Sequence, residues 1–411
     1  MAGSSGAGSS GAGFMGRGLI ARVLLLAGLA ALLVFAARVT AGNVFAGRDP
    51  DFALRLSPGN ARALGEKARK RIQTEQSPAA RAEAMALAAR ALARDPGNVD
   101  AVVAAGLVKD LARRPAEAAR LMRYSGKLSR RDFATRIWLI EDAVRRNDVE
   151  GALHHYDVAL RTSRLAPSVL FPVLVQAVTG DDMIAPLSTT LARRPVWSYQ
   201  FMQQLAQTGT DYRAMAALYE AVRRKGGLVP EPTIAAATAR MVEAGAFGQA
   251  WSLYAGFNPG TPRAGVRNGD FARTEEAPTP FDWNLSQLPG LAAEPLGDNG
   301  GTLRFEATSG AGGVAARQLL LLAPGAHELS GTAYDVVLGG GGVSPSFRLV
   351  CAGGARVLSD APLPSAASTG AAFRARFSVP SGCPAQWLEL HVPSAEGPTP
   401  VSGSVGRVAV R

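Results

Sequence analysis

Three hydrophobic patterns follow one another along the chain. From Val23 to Ala37 every residue is apolar or small, Val-Leu-Leu-Leu-Ala-Gly-Leu-Ala-Ala-Leu-Leu-Val-Phe-Ala-Ala. With Gly18–Arg22 ahead of it the run reaches about 20 residues, long enough for a helix to cross a hydrocarbon core of ~30 Å. Through the middle of the chain apolar positions recur at i, i+3, i+4 and i+7, the period of an amphipathic helix. After Asn258-Pro-Gly-Thr-Pro-Arg-Ala-Gly265 the period falls to two. Alternating runs then predict strands at Thr302–Ala307, Gln318–Leu322, His327–Tyr334, Ser346–Cys351, Ala372–Val379, Gln386–Val392 and Ser404–Val410, separated by Gly and Pro turns. The expected organisation is multidomain, α plus β. A low-complexity tail covers 1–17 and a transmembrane anchor or signal peptide 18–38. A helical solenoid fills 50–260, and an antiparallel β-sandwich of jelly-roll type fills 266–411.

The helical segment repeats. Ala84, Ala88 and Ala91 stand at offsets 0, 4 and 7; 34 residues on come Ala118, Met122 and Ser125, and after another 34 come Ala152, Tyr156 and Ala159. Gly106 lies 12 residues ahead of Ala118, where a small residue admits a neighbouring helix. This period, the small–large–small pattern and Ala91-Leu-Ala-Arg-Asp-Pro-Gly-Asn98 resemble the tetratricopeptide repeat. One period after Gly106 the helix-A position holds Ile140, and Arg130 and Arg164 replace the terminal proline, so the repeats are degenerate. Weaker units follow at Tyr212–Arg224 and Phe247–Phe257. The resemblance implies stacked helical hairpins, with Ala84, Gly106, Ala118 and Ala152 at close helix contacts and a concave face that binds a protein partner.

The C-terminal segment resembles the jelly-roll carbohydrate-binding modules appended to bacterial glycoside hydrolases. The resemblance rests on Asn268-Gly-Asp-Phe271, placed at the first strand, on Phe281-Asp-Trp283, and on Leu322-Ala-Pro-Gly-Ala-His-Glu-Leu-Ser-Gly331. It implies a sandwich whose exposed aromatics stack on sugar rings. Trp283 is the first candidate, with Phe281 and Tyr334 behind it; the alternative for Trp283 is a plug between the sheets.

Composition narrows the chemistry. Of 44 Lys+Arg against 33 Asp+Glu, net +11, only five are lysines, and the excess sits in the helical segment. The arginine pairs there lack interleaved aromatics, which argues against nucleic acid, and they mark helix ends where cations complement the dipole. Four histidines, two of them adjacent as His154-His155, supply neither a triad nor a metal pair. No catalytic set and no cofactor are expected; Asp270, Asp282 and Asp298 are the acids available to a structural calcium. Cys351 and Cys383, the only cysteines, read as a disulfide in an oxidising compartment. The expected protein is therefore non-enzymatic. It would be a scaffold tethered to the inner membrane, with the N-terminus cytoplasmic and the bulk periplasmic, serving envelope or exopolysaccharide assembly. Cleavage near Ala41, after Val39-Thr40-Ala41, would instead release it. An accessory subunit of a polysaccharide-active enzyme and a sandwich that is purely a structural cap are the alternatives.

Overall fold

The computed structural model describes residues 12–297, 301–354, 356–365 and 369–411, with side chains from Arg22 onward in the first helix. It divides into two compact units, Met1–Ala166 and Pro167–Arg411. The first opens with α1 (Ala12–Phe45), which begins inside the stretch expected to be tail. Its segment Arg22–Phe45 is long and apolar enough to cross a membrane by length and composition. Then come α2 (Pro50–Leu56), α3 (Ala61–Thr74), α4 (Pro78–Leu92), α5 (Val99–Leu111), α6 (Pro115–Leu128), α7 (Phe133–Arg145) and α8 (Val149–Thr162).

Each helix start is written locally. Asn60, Ser77, Asn98, Asp132 and Asp148 accept a hydrogen bond from the backbone N–H three residues on, and prolines 78 and 115 occupy first helical positions. Helices α3/α4, α5/α6 and α7/α8 pair as hairpins, and α3 also packs on α5. Together they make a tetratricopeptide-like array. Ala84, Ala118 and Ala152 are buried in the second helix of successive pairs. A side chain on Gly106 would meet Met122 Cε at 2.9 Å, so α5 and α6 touch there through the missing Cβ. Gly65 was not marked by the repeat pattern, yet it does the same for α3, whose backbone lies against the Asn98 cap of α5. One long-range clamp also crosses the pairs: Arg69 of α3 donates to Asp100 of α5 at 2.8 Å and to Asp132 at the start of α7 at 2.6 Å.

The second unit carries α9 (Ala166–Ala177), whose first residue closes the first unit, α10 (Asp181–Ala192), α11 (Ser198–Thr208), α12 (Tyr212–Arg224), α13 (Glu231–Glu243) and α14 (Phe247–Phe257), then the β-strands. Eleven strands among the described residues form two antiparallel sheets. The five-stranded sheet has the order β1 (Asn284–Leu285), β5 (Gly313–Leu320), β10 (Gln386–Val392), β7 (Ser346–Cys351), β8 (Val357–Pro362). The six-stranded sheet runs β2 (Gln287–Leu288), β3 (Leu291–Leu296), β4 (Thr302–Ala307), β11 (Val401–Val410), β6 (Gly325–Val337), β9 (Ala371–Val379). Their inner faces meet in one core that includes Phe305, Phe347, Phe373, Leu388 and Val405. Cys351 and Cys383 are joined in a disulfide, Cα–Cα 5.5 Å, tying the end of β7 to the turn before β10.

The segment expected to open the first strand behaves differently. Asn268 and Phe271 take left-handed backbone angles, φ 49° and 52°, in a tight turn. Gly269 lies so close to Val408 O that a Cβ there would clash at 1.9 Å. The turn leads into a loop that packs on α14, which places the last helices in one compact unit with the sandwich.

Candidate functional site

The three aromatic candidates go to three different places. Phe281 is fully buried, with its ring 5.3 Å from Trp251 and 5.2 Å from Tyr254 of α14. Trp283, two residues on, faces the other way into the sandwich core between Phe271 at 5.2 Å and Phe347 at 6.4 Å, and its Nε1 donates to Asn268 O. It is 8 % exposed, so neither face of the indole is open for a sugar, and the plug role fits it. Its long-range partners, Phe347 above all, leave no trace in the sequence around it. Both expectations of stacking are corrected by burial.

Tyr334 alone of the three lies on an outer face, that of the six-stranded sheet, and is partly exposed. The pairing register builds a row across the strands around it. Glu294 of β3 faces Arg304 of β4, Arg304 faces Ser404 of β11, and Ser404 faces Tyr334 of β6. The tyrosine ring then lies over Gly370, where a Cβ would come within 2.5 Å of Cε1. Gly370, at φ +80°, is thus required twice, by its backbone angle and by the ring above it. A second row runs beside the first: Gly406 of β11 faces Thr332 of β6, which faces Ala372 of β9. A Cβ on Gly406 would meet Thr302 Cγ2 at 3.2 Å and the far edge of the Tyr334 ring at 3.7 Å.

At ~4.8 Å per strand, the first row spans ~19 Å from β3 to Gly370. It is a shallow strip of small and hydroxyl-bearing residues with one aromatic plate. Arg304, within 3.4 Å of Glu306 and 3.8 Å of Glu294, stands at its other end. There a hollow of about 260 Å³ opens between Gly290, Glu294, Arg304, Glu306 and Thr308. The register shift at Ser402/Ser404, with Asp335 at φ 47°, ends the regular ladder just past Tyr334. Such bulges re-aim side chains at sheet rims. Hydroxyl, carboxylate and guanidinium groups beside a flat apolar ring form the set that grips a sugar, with C–H faces on the ring and hydroxyls on the polar groups.

The opposite outer face carries a second aromatic, Trp387, half-buried on β10. It stands in the alternating run Gln386–Val392, whose Leu388 and Leu390 point inward. Arg317 already covers its ring at 4.7 Å. Glu389 on the same face is held above the usual carboxylate range by burial, against the pull of Arg317 and Arg348.

Beneath α14 a cleft of about 310 Å³ opens between Tyr254, Asn258, Thr261 and the loop from Arg267 to Trp283. Its wall is knit by Arg267, 5 % exposed, which donates to Phe281 O at 2.7 Å and to Leu319 O. The guanidinium packs over Trp251 and Phe281. Burial pulls its pKa down to about 10, so it remains a cation. Tyr254 donates to Asp282 Oδ1 at 2.7 Å, and Thr279 N–H and hydroxyl donate to Oδ2. Those bonds commit Asp282, while Asp270 is exposed and Asp298 lies outside the described residues. Among the described residues no cluster of three or more His, Cys, Asp or Glu could hold a metal ion. His154 is exposed and His155 half-buried, their rings 5.3 Å apart.

Comparison with solved structures finds likeness in both regions. A protein from Pseudomonas aeruginosa, PilF, aligns over 56 % of this chain and 93 % of its own at 17 % identity, TM-score 0.28. A CBM4 structure aligns over 35 % of this chain and 97 % of its own at 14 % identity, TM-score 0.28. The carbohydrate-binding module CBM6cm-2 of Cellvibrio mixtus lichenase 5A, solved with cellotriose, covers 37 % of this chain and 98 % of its own at 14 % identity, TM-score 0.22. No family model matches the chain, and no curated protein matches it.

Proposed function

We propose that this protein is a membrane-tethered scaffold that holds a protein partner on its helical array and a polysaccharide on its sandwich. The tether is α1, whose Leu24, Leu25, Leu32 and Phe35 side chains are all more than 60 % exposed, an arrangement that a lipid surround would cover. The disulfide supports an oxidising compartment for the bulk of the chain, hence the periplasmic side of an inner membrane. The observation that carries the glycan reading is the row Glu294–Arg304–Ser404–Tyr334 with its ring seated on Gly370. A strip with one aromatic plate and a hydroxyl floor suits an extended sugar chain better than a compact ligand.

The reading is one of non-enzymatic binding, in envelope or exopolysaccharide assembly. Affinity electrophoresis of the full chain through gels containing neutral or acidic polysaccharides tests it. Retardation of the wild type that Tyr334→Ala abolishes and Trp283→Phe leaves in place supports the reading. Equal mobility of wild type and Tyr334→Ala in every gel overturns it.

A further inference from the structure

The apolar helix is not a free stalk. Asn60 Nδ2 donates to Asn43 Oδ1 at 2.8 Å, and Arg38 Nε donates to Leu56 O at 3.2 Å, so the turn after α2 is bonded back onto α1. Gly42 permits the contact, since a Cβ there would stand 3.2 Å from Ser57 Cβ. Between that overhanging turn, Leu56-Ser57-Pro58, and one side of α1 runs a groove of about 590 Å³. Its floor is Ala30, Ala31, Val34 and Phe35, with Arg38 and Val39 at its mouth. The lining contains one cation and no acid. Arg38 spends one N–H on Leu56 O, and the rest of its fork is exposed.

We propose that this groove binds one anionic phospholipid, its phosphate on Arg38 and Ser57 and an acyl chain along Ala30, Ala31, Val34 and Phe35. The inference rests on the tether reading above and adds to it a specific lipid partner. From Arg38 back to Ala30 the helix covers ~12 Å, close to the depth of one leaflet in a ~30 Å core. Arg22 and Arg38 lie ~24 Å apart along the axis, so each can snorkel to its own interface. The groove therefore sits in the leaflet that Arg38 borders, polar end at headgroup level and apolar floor among the chains. Charge chooses the occupant: a zwitterionic headgroup brings its own cation to a site that already has one, whereas an anionic headgroup brings only the phosphate charge that Arg38 complements.

The test is native mass spectrometry of the full chain released from bilayers of phosphatidylcholine alone or mixed with phosphatidylglycerol. The wild type is expected to retain phosphatidylglycerol about fivefold over phosphatidylcholine, the preference that one well-placed arginine supplies. Arg38→Lys should keep that preference and Arg38→Gln should lose it. Ala31→Trp, which fills the floor without touching charge, should lose retention of both lipids. Free inorganic phosphate should not displace the retained lipid. Equal retention of the two lipids by the wild type, or a preference that survives Arg38→Gln, overturns the groove while leaving the tether standing. A mature chain found by intact mass to begin beyond Ala41 overturns the tether itself, and the groove with it.

Discussion

Replacing Arg267 by Met should loosen the joint between α14 and the sandwich. The side chain is enclosed, and it bonds two backbone carbonyls, Phe281 O and Leu319 O. Leaving two buried carbonyls without donors costs about 1–3 kcal/mol each. Part of that is offset. Burial already opposes the Arg267 charge, as its lowered pKa shows, and Nη1 has no acceptor among the described residues. The methionine would also keep some contact with Trp251 and Phe281. The net expectation is a loss of roughly 2–4 kcal/mol. In a unit of this size that is a fall in Tm of about 5–12 °C. Arg267→Lys should fall between, because an ammonium lacks the planar fork that serves both carbonyls. Thermal unfolding gives the size of the effect, and hydrogen exchange gives its place: amides of α14 and of 267–283 should exchange faster while β10 and β11 stay protected. An Arg267→Met protein within about 0.5 kcal/mol of wild type would refute the reasoning.

In the array, Ala118→Leu should cost roughly 1–3 kcal/mol by overpacking a fully buried helix contact, whereas Arg120→Leu on the exposed side should not; equal melting temperatures would mean that the contact register is wrong. His155 is held down to about pKa 4 by burial and by His154, Arg136 and Arg146, with Asp148 opposing. Its unfolded form therefore binds the proton first, and stability should fall as pH drops from about 6.5 to about 4, by roughly 1–2 kcal/mol once the open half of the ring is discounted. His155→Gln should flatten that part of a pH–stability curve measured by urea unfolding. Cys351→Ser with Cys383→Ser should cost about 3–4 kcal/mol, the chain-entropy value for a 32-residue separation, and a reductant should lower the wild type to match.

What could be read in the sequence was what depends on neighbours along the chain. Helices such as α3, α4, α5, α7 and α8 carry their own caps, the 34-residue spacing places Ala84, Ala118 and Ala152 in equivalent buried positions, and alternation marks most long strands. Short or weakly alternating strands, β3 with its Pro295 and β8 with its exposed Val357, escaped because their pairing partners supply the order. The Arg69 clamp on Asp100 and Asp132 and the Arg267 clamp on α14 both join residues that no local pattern connects. Trp283 and Phe281 misled for the same reason, since a turn-rich stretch says nothing about what will close over it. Tyr334 stands in an alternating strand, the feature that sets its ring on an outer face.

The measurement that bears most directly on the glycan-binding reading is calorimetric titration of the full-length wild type, Tyr334→Phe and Tyr334→Ala with an oligosaccharide cut from whichever polysaccharide retards the protein. Ring stacking contributes about 1–2 kcal/mol, so Tyr334→Ala should weaken binding by about 5–30-fold. Tyr334→Phe, which keeps the plate over Gly370, should bind within about threefold of wild type. A folded Tyr334→Ala protein that binds as tightly as wild type would contradict the account, because the row across the six-stranded sheet would then not be where the sugar lies.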